Sequence, residues 1–128
     1  VMGSCMLVRR EAVEEVGAAD DAFFLFSEET DWCYRFRAAG WQVVFFTGAE
    51  CVHVRGASHG GRLFRENLRG HLRFMSKHHG ARQADRARRL LLAALPLRGA
   101  LFRGERGATY REAAAWHASG DAAALLAE

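Results

Sequence analysis

The first sixty residues contain three short apolar stretches with the length and composition of β-strands. They lie at 4–9 (SCMLVR), 41–46 (WQVVFF) and 50–55 (ECVHVR). In the third stretch, valines alternate with polar residues, so that Val52 and Val54 would face one side of a strand and His53 the other. The pattern predicts three strands, the last of which has one polar face.

Two helices are predicted between these strands. The segment REAVEEV at 10–16 precedes Gly17, a residue type that often ends helices. From Glu29 to Ala39 apolar residues recur at helical spacing, and the glycine that follows is expected to end this helix. Asp31 and Arg35 are four positions apart on it and are predicted to form an ion pair.

Beyond residue 60 the pattern is helical. The predicted helices lie at 62–79, at 86–95 with a break at Pro96, and near 111–117. Together these elements predict an α/β part over residues 1–60 and a helical C-terminal extension over residues 61–128.

Composition indicates what kind of chain this is, and the distribution of charge indicates what kind of partner it favours. Half of the 128 residues are hydrophobic and 26% are charged, which fits one folded domain or a piece of a larger one. The chain starts on the strand-like segment VMGSCMLVRR, so we expect it to be a piece of a longer protein. The net charge of +3 reflects an arginine-rich second half, which favours an anionic partner unless arginine merely replaces lysine there.

The cysteines and apolar runs add two expectations. Cys5, Cys33 and Cys51 are odd in number and form no C-x-x-C motif, so reduced thiols in the cytoplasm are expected. No apolar run approaches the roughly 18 residues of a membrane span, since the longest, at 90–97, contains Pro96. Contact with a membrane surface stays open.

Candidate chemistry begins with carboxylates that follow the apolar run FFLF at 23–26. Glu28 and Glu29 lie at a predicted helix start, where free N–H groups and the helix dipole favour negative charge. One hypothesis is therefore that the two glutamates only cap the helix. Alternatively, one of them faces a pocket and accepts a proton from a bound hydroxyl. Spacing alone leaves both hypotheses open.

His53 is the second candidate. A lone histidine on a strand is usually structural, but this one lies on a polar face beside the glycine-rich loop GASHGG, where a neutral imidazole would suit a divalent metal ion. The other histidines show no ligand spacing, and the chain contains no Walker loop or dinucleotide fingerprint.

The ordered set of motifs resembles the second half of the catalytic domain of family 2 glycosyltransferases, especially the rhamnosyltransferase-like enzymes that build bacterial surface polysaccharides. The matching pieces, over about 2–58, are Gly-x-x-Met-Leu, Val-Gly-x-x-Asp before Phe-Phe-Leu, Glu-Glu-x-Asp-Trp, Arg-x-x-Gly-Trp and Val-His-x-x-Gly-x-Ser. Each motif is weak alone, whereas their order is specific.

This resemblance implies the C-terminal half of a GT-A fold, an α/β architecture, and an inverting transfer of a sugar from a nucleotide-sugar donor to a glycan or lipid-linked acceptor. It implies that Glu29 is the general base, although many members have Asp at this position. The residues expected to bind the acceptor or support the site are Glu28, Asp31, Trp32 and Arg35.

The resemblance also implies a divalent cation, Mn²⁺ or Mg²⁺, with His53 as one ligand. Another ligand belongs to an Asp-x-Asp motif N-terminal to the motifs of this chain, so we expect the chain alone to be inactive. Arg55 and Ser58 are candidate phosphate contacts. The expected location is cytoplasmic, with peripheral contact at the inner face of the cell membrane.

Two further hypotheses place the chain in other classes of protein, a binding module and a structural module. The arginine- and histidine-rich segment at 61–89 could bind nucleic acid or an anionic membrane surface. Its arginines are spread around the predicted helix, which disfavours nucleic-acid binding as the main function. A purely structural helical module is the other hypothesis. The donor sugar, its nucleotide and the acceptor are not specified by the sequence.

Overall fold

The computed structural model describes residues 3, 5–52 and 61–124. The helices are α1 (Arg10–Val16), α2 (Glu28–Ala38), α3 (Gly61–His79), α4 (Ala81–Leu101), α5 (Gly104–Ala118) and α6 (Asp121–Ala124). The chain divides into two compact units, Val1–Ala57 and Ser58–Glu128. The first contains α1 and α2, and the second contains α3 to α6.

The expected α/β fold is wrong for the described residues, because none of them belongs to a strand. Residues 5–9 and 41–52, where the pattern predicts strands, have no regular secondary structure, and residues 53–55 lie outside the described ranges. A strand is held by hydrogen bonds to a neighbouring strand, which an apolar pattern does not itself provide. Leu7, Val44 and Phe45 accordingly expose most of their surface.

The helices of the first unit end where the sequence predicts. Gly17 follows α1 with φ +87°, and Gly40 follows α2 with φ +90°. At the second end, the Gly40 N–H donates to the Arg37 carbonyl at 3.1 Å and the Trp41 N–H to the Phe36 carbonyl at 2.9 Å. This pair of bonds is a Schellman motif, which favours glycine because of its left-handed conformation. Both predicted helix ends are thereby confirmed.

In the second unit, α3, α4 and α5 surround a common core. Each contributes one buried residue to it, namely Leu68, Leu95 and Ala113. Partly buried side chains surround these three, and the rings of Phe64 and Tyr110 meet edge-on with centroids 5.5 Å apart. The apolar positions of three helices therefore form the core of this unit.

The predicted break at Pro96 is wrong, because α4 continues through it to Leu101. Proline lacks the N–H that would bond the Leu92 carbonyl, so the helix needs compensation from packing. Leu95 is buried in the core beside it. Near the end of α4, Arg111 of α5 donates from Nη1 to the Gly99 carbonyl at 2.8 Å. Contacts between helices thus stabilise a helix that the local sequence disfavours.

Within the described part of the chain, no helix combines the length and apolar character that crossing a membrane requires.

Candidate functional site

The chain enters α2 through a strained turn. Phe26 and Ser27 have φ values of +67° and +70°, a left-handed conformation that side chains other than glycine rarely adopt. The Ser27 carbonyl accepts the Asp31 N–H at 2.8 Å, but the Ser27 side chain makes no capping hydrogen bond. Two successive left-handed residues cost on the order of 1 kcal/mol each. Such strain concentrates at functional sites, which makes the start of α2 a candidate site.

The two glutamates at this helix start do not behave as simple caps. The Oε2 atoms of Glu28 and Glu29 are buried and have no hydrogen-bond partner among the described residues. A capping carboxylate would accept a hydrogen bond from a free N–H of the first turn. A buried carboxylate oxygen without a partner is unfavourable unless a bound group donates to it. These two oxygens therefore keep the capacity to accept a hydrogen bond from a donor that reaches them.

Gly3 and Cys33 flank Glu29. A Cβ atom on Gly3 would lie 3.3 Å from Glu29 Cβ and 3.5 Å from its Cγ, so the glycine lets the backbone pass close to the glutamate. Cys33 is one turn further along α2, where burial raises the pKa of its thiol and the Glu29 charge raises it further. No spacing pattern in the sequence predicts the Gly3 contact, although Gly3 opens the Gly-x-x-Met-Leu motif.

Asp31 and Arg35 form the predicted i,i+4 ion pair, with Arg35 Nε 2.8 Å from Asp31 Oδ2. The remaining Arg35 nitrogens bond the carbonyls at the end of α1, Nη1 to Val16 at 2.9 Å and Nη2 to Ala18 at 2.7 Å. The Val16 carbonyl, at the last residue of α1, lacks a partner within its helix, and Ala18 lies two residues beyond that helix. Asp31 is fully buried, with a relative exposure of 0%. The pair is confirmed, and it joins α2 to α1.

Two tryptophans add to this connection. Trp32 donates from Nε1 to the Gly17 carbonyl at 2.9 Å, and its ring packs on Phe36 with centroids 5.0 Å apart. Trp41, just past α2, donates from Nε1 to Glu15 Oε2 at 2.9 Å. The sequence pattern contained no signal for the Trp41 contact, because its partner is 26 residues away.

The predicted metal ligand His53 and the candidate phosphate contacts Arg55 and Ser58 lie outside the described residues. Within residues 3, 5–52 and 61–124, no group of three or more His, Cys, Asp or Glu side chains is placed to hold a metal ion. The described side chains therefore do not by themselves form a complete ligand set, and the role of His53 stays a prediction.

Comparison with protein-family models matches residues 1–73 to the family described as "Glycosyltransferase like family 2". The chain belongs to this family. The match contains the whole of α2 and extends into α3, and it confirms the resemblance inferred from the ordered motifs.

Two curated relatives of this family 2 chain are N-acetylglucosaminyl-diphospho-decaprenol L-rhamnosyltransferases from two strains of Mycobacterium tuberculosis. Each is 41% identical over 58 residues, which are 45% of this chain and 19% of the relative. The chain thus spans about a fifth of the length of the curated relatives it matches. No solved structure matches the chain significantly.

Proposed function

We propose that this chain supplies the acceptor-activating part of a sugar-transferring enzyme, with Glu29 as the general base. The observation that carries the proposal is the buried, unpartnered Oε2 atom of Glu29, placed by a strained turn within the residues that match the glycosyltransferase family. A carboxylate in this state favours a hydroxyl donor, because that donor would supply the missing hydrogen bond.

The proposed chemistry is a displacement at the anomeric carbon. The Glu29 carboxylate accepts the proton of the acceptor hydroxyl while the hydroxyl oxygen forms a bond to that carbon. The bond to the nucleoside diphosphate breaks with its electron pair leaving on the phosphate oxygen, which inverts the configuration. The neighbouring Glu28 also has a buried, unpartnered oxygen, and it would hold the acceptor by accepting a second hydrogen bond.

His53 is the one residue of this chain that we propose as a ligand of a divalent cation. Mn²⁺ or Mg²⁺ would supply positive charge for the departing diphosphate. The described side chains contain no complete set of metal ligands. The support for Glu29 as general base therefore comes from its own surroundings and not from a metal site.

Asp31, Trp32 and Arg35 are proposed as positioning residues. The guanidinium group of Arg35 is occupied by Asp31 and by two carbonyls of the α1 end, and the Trp32 indole donates to a third carbonyl. Groups that already have protein partners are poorly suited to bind a substrate. Their effect is to fix the start of α2, and hence the two glutamates.

The substrates to test first follow from the relatives. Their names specify transfer of L-rhamnose to a diphospho-decaprenol that carries N-acetylglucosamine. We therefore infer a nucleotide-activated deoxyhexose as donor and a lipid-linked amino sugar as acceptor. The support is the 41% identity over 58 residues.

The test is substitution of Glu29 in the protein that carries this chain. Glu29→Gln keeps the shape of the side chain but removes its basicity, so kcat should fall by about a hundredfold or more while the circular dichroism spectrum stays the same. Glu28→Gln should mainly raise KM for the acceptor. Glu14→Gln, at an exposed position of α1, is the matched control and should leave both constants unchanged. Activity of Glu29→Gln within about threefold of the parent would contradict the proposal.

A further inference from the structure

One side of α4 exposes leucines. Leu90, Leu97 and Leu101 have relative exposures of 72%, 61% and 69%. They are seven and four residues apart, a spacing that places them on the same side of a helix. Another side of the helix supplies Leu91 and Leu95 to the core, so α4 is apolar on two sides. We call Leu90, Leu97 and Leu101 the leucine stripe, which extends about 16 Å along the helix.

Arginines continue and flank the leucine stripe. Arg86 is exposed one turn before Leu90, on the same side, and Arg82 is exposed one turn before that. The helix from Ala81 to Leu101 contains five arginines and one aspartate, which leaves four positive charges. The aspartate, Asp85, is paired with Arg88 at 3.0 Å and with Arg89 at 2.7 Å. The exposed side of α4 therefore combines apolar side chains with positive charge that no carboxylate in the described part of the chain compensates.

We propose that the leucine stripe and its arginines dock this chain on an anionic lipid surface. Leucine side chains enter the boundary between headgroups and acyl chains, while arginine stems lie along it and carry the guanidinium groups to lipid phosphates. Each such arginine adds to the attraction of a negatively charged leaflet.

Two other occupants fit the stripe less well. A nucleic acid would satisfy the arginines, but its phosphate backbone offers no apolar surface to cover three leucines. A second copy of the chain would cover the leucines, but it would bring two helices of the same positive charge together, which is unfavourable. An anionic lipid surface covers both kinds of side chain at once. The proposal uses only α4 and does not depend on the role of Glu29.

Vesicle flotation of the 128-residue chain tests the proposal. Vesicles of phosphatidylglycerol and phosphatidylcholine should bind the chain at low salt, and raising the salt from about 50 mM to about 500 mM should weaken binding. Vesicles of pure phosphatidylcholine should bind it about tenfold less or weaker. The triple variant Leu90→Gln, Leu97→Gln, Leu101→Gln should lose about tenfold or more of the binding to anionic vesicles.

The control is Leu7→Gln, which removes a leucine outside α4 that is more exposed than any of the stripe, and it should bind like the parent. Glutamine is chosen because its helix propensity is close to that of leucine. A second variant, Arg82→Gln with Arg86→Gln, changes only exposed side chains, and it should weaken binding and flatten the salt dependence. Circular dichroism verifies that each variant is helical.

The proposal is overturned if the triple variant, folded, binds anionic vesicles as well as the parent does, or if neutral and anionic vesicles bind equally. It is also overturned if the parent is a dimer that the triple variant abolishes while vesicle binding is absent. Binding to a DNA duplex but not to anionic vesicles would likewise contradict it.

Discussion

Three carboxylates within the first turn of α2 have different surroundings, and the difference determines what each can do. Asp31 is fully buried and is stable there because Arg35 bonds to it. Glu28 and Glu29 each have one buried oxygen that no group in the described part of the chain satisfies. At the level of sequence the three residues form one acidic cluster. The ion pair gives Asp31 a structural role. Glu28 and Glu29, whose buried oxygens lack partners among the described residues, are the candidates for substrate contact.

His117 of α5 is another buried polar group. Its relative exposure is 1%, and among the described residues neither ring nitrogen has a regular hydrogen bond, because its contact with the Arg88 backbone falls short of that geometry. Burial lowers the pKa of His117, the backbone of Arg88 in part opposes this, and the positive charge of Arg88 lowers it again. Protonating this ring in the folded state would place a positive charge in an apolar environment, near the positive charge of Arg88.

We therefore predict that folding stability falls as the pH drops below the ordinary histidine pKa of 6.5. The folded state binds the His117 proton less readily than the unfolded state, so the contribution is fully present above pH 6.5 and is lost as the pH falls toward the lowered pKa. Urea unfolding between about pH 8 and about pH 5 measures this. In His117→Met, which cannot titrate, that part of the pH dependence should disappear.

The control for this prediction is His71→Gln, at an exposed position of α3, which should keep the parent's pH dependence. If His117→Met lost stability on acidification as steeply as the parent, His117 would not be the titrating group.

At the scale of helices, close approach depends on glycine at two places where α4 and α5 meet. A Cβ on Gly107 would clash with the backbone oxygen of Phe102, whereas a Cβ on Gly99 would lie 2.8 Å from Cγ of the Arg111 side chain. The base of the Arg111 side chain can shift at some cost, while a backbone carbonyl near a helix start cannot move without distorting the chain. The two glycines therefore differ in how strictly they are required.

Gly107→Ala should destabilise the chain by about 1–3 kcal/mol, because the added methyl group overpacks against the backbone. Gly99→Ala should destabilise the chain less than Gly107→Ala does, since the gain in helix propensity of about 1 kcal/mol partly offsets the displacement of Arg111 and of its bond to the Gly99 carbonyl. Urea denaturation of both variants gives the two free energies of unfolding. Equal destabilisation by both substitutions would contradict this distinction.

At the scale of the whole chain, membership of the glycosyltransferase family and the short span of the match point to one prediction. The curated relatives are about five times as long as the segment they share with this chain. The family resemblance places the nucleotide-binding residues and the Asp-x-Asp motif before the motifs present here. We therefore expect the 128-residue chain alone to transfer no sugar when it is given a nucleotide-sugar, Mn²⁺ and an acceptor.

Product formation measured by mass spectrometry checks this, and clear turnover by the chain alone would contradict it. The matched positive sample is a rhamnosyltransferase of the kind that the chain matches, assayed with the same donors and acceptors.

Local patterns were sufficient for some features. The order of the motifs was enough to recognise the family, the helical spacing located α2 and α3 to within one residue at each end, and the i,i+4 spacing predicted the Asp31–Arg35 pair. Each of these depends on residues that are close in sequence, where side-chain spacing and backbone preference act directly.

Other features depended on partners distant in the chain. The apolar runs at 5–9 and 41–46 look like strands, but a strand exists only where another strand bonds to it, and none does in the described ranges. The helix α4 passes through Pro96 because α5 and the core support it. The burial of the glutamate oxygens and the exposure of the leucine stripe likewise follow from what the folded chain does or does not place beside them, which no local pattern contains.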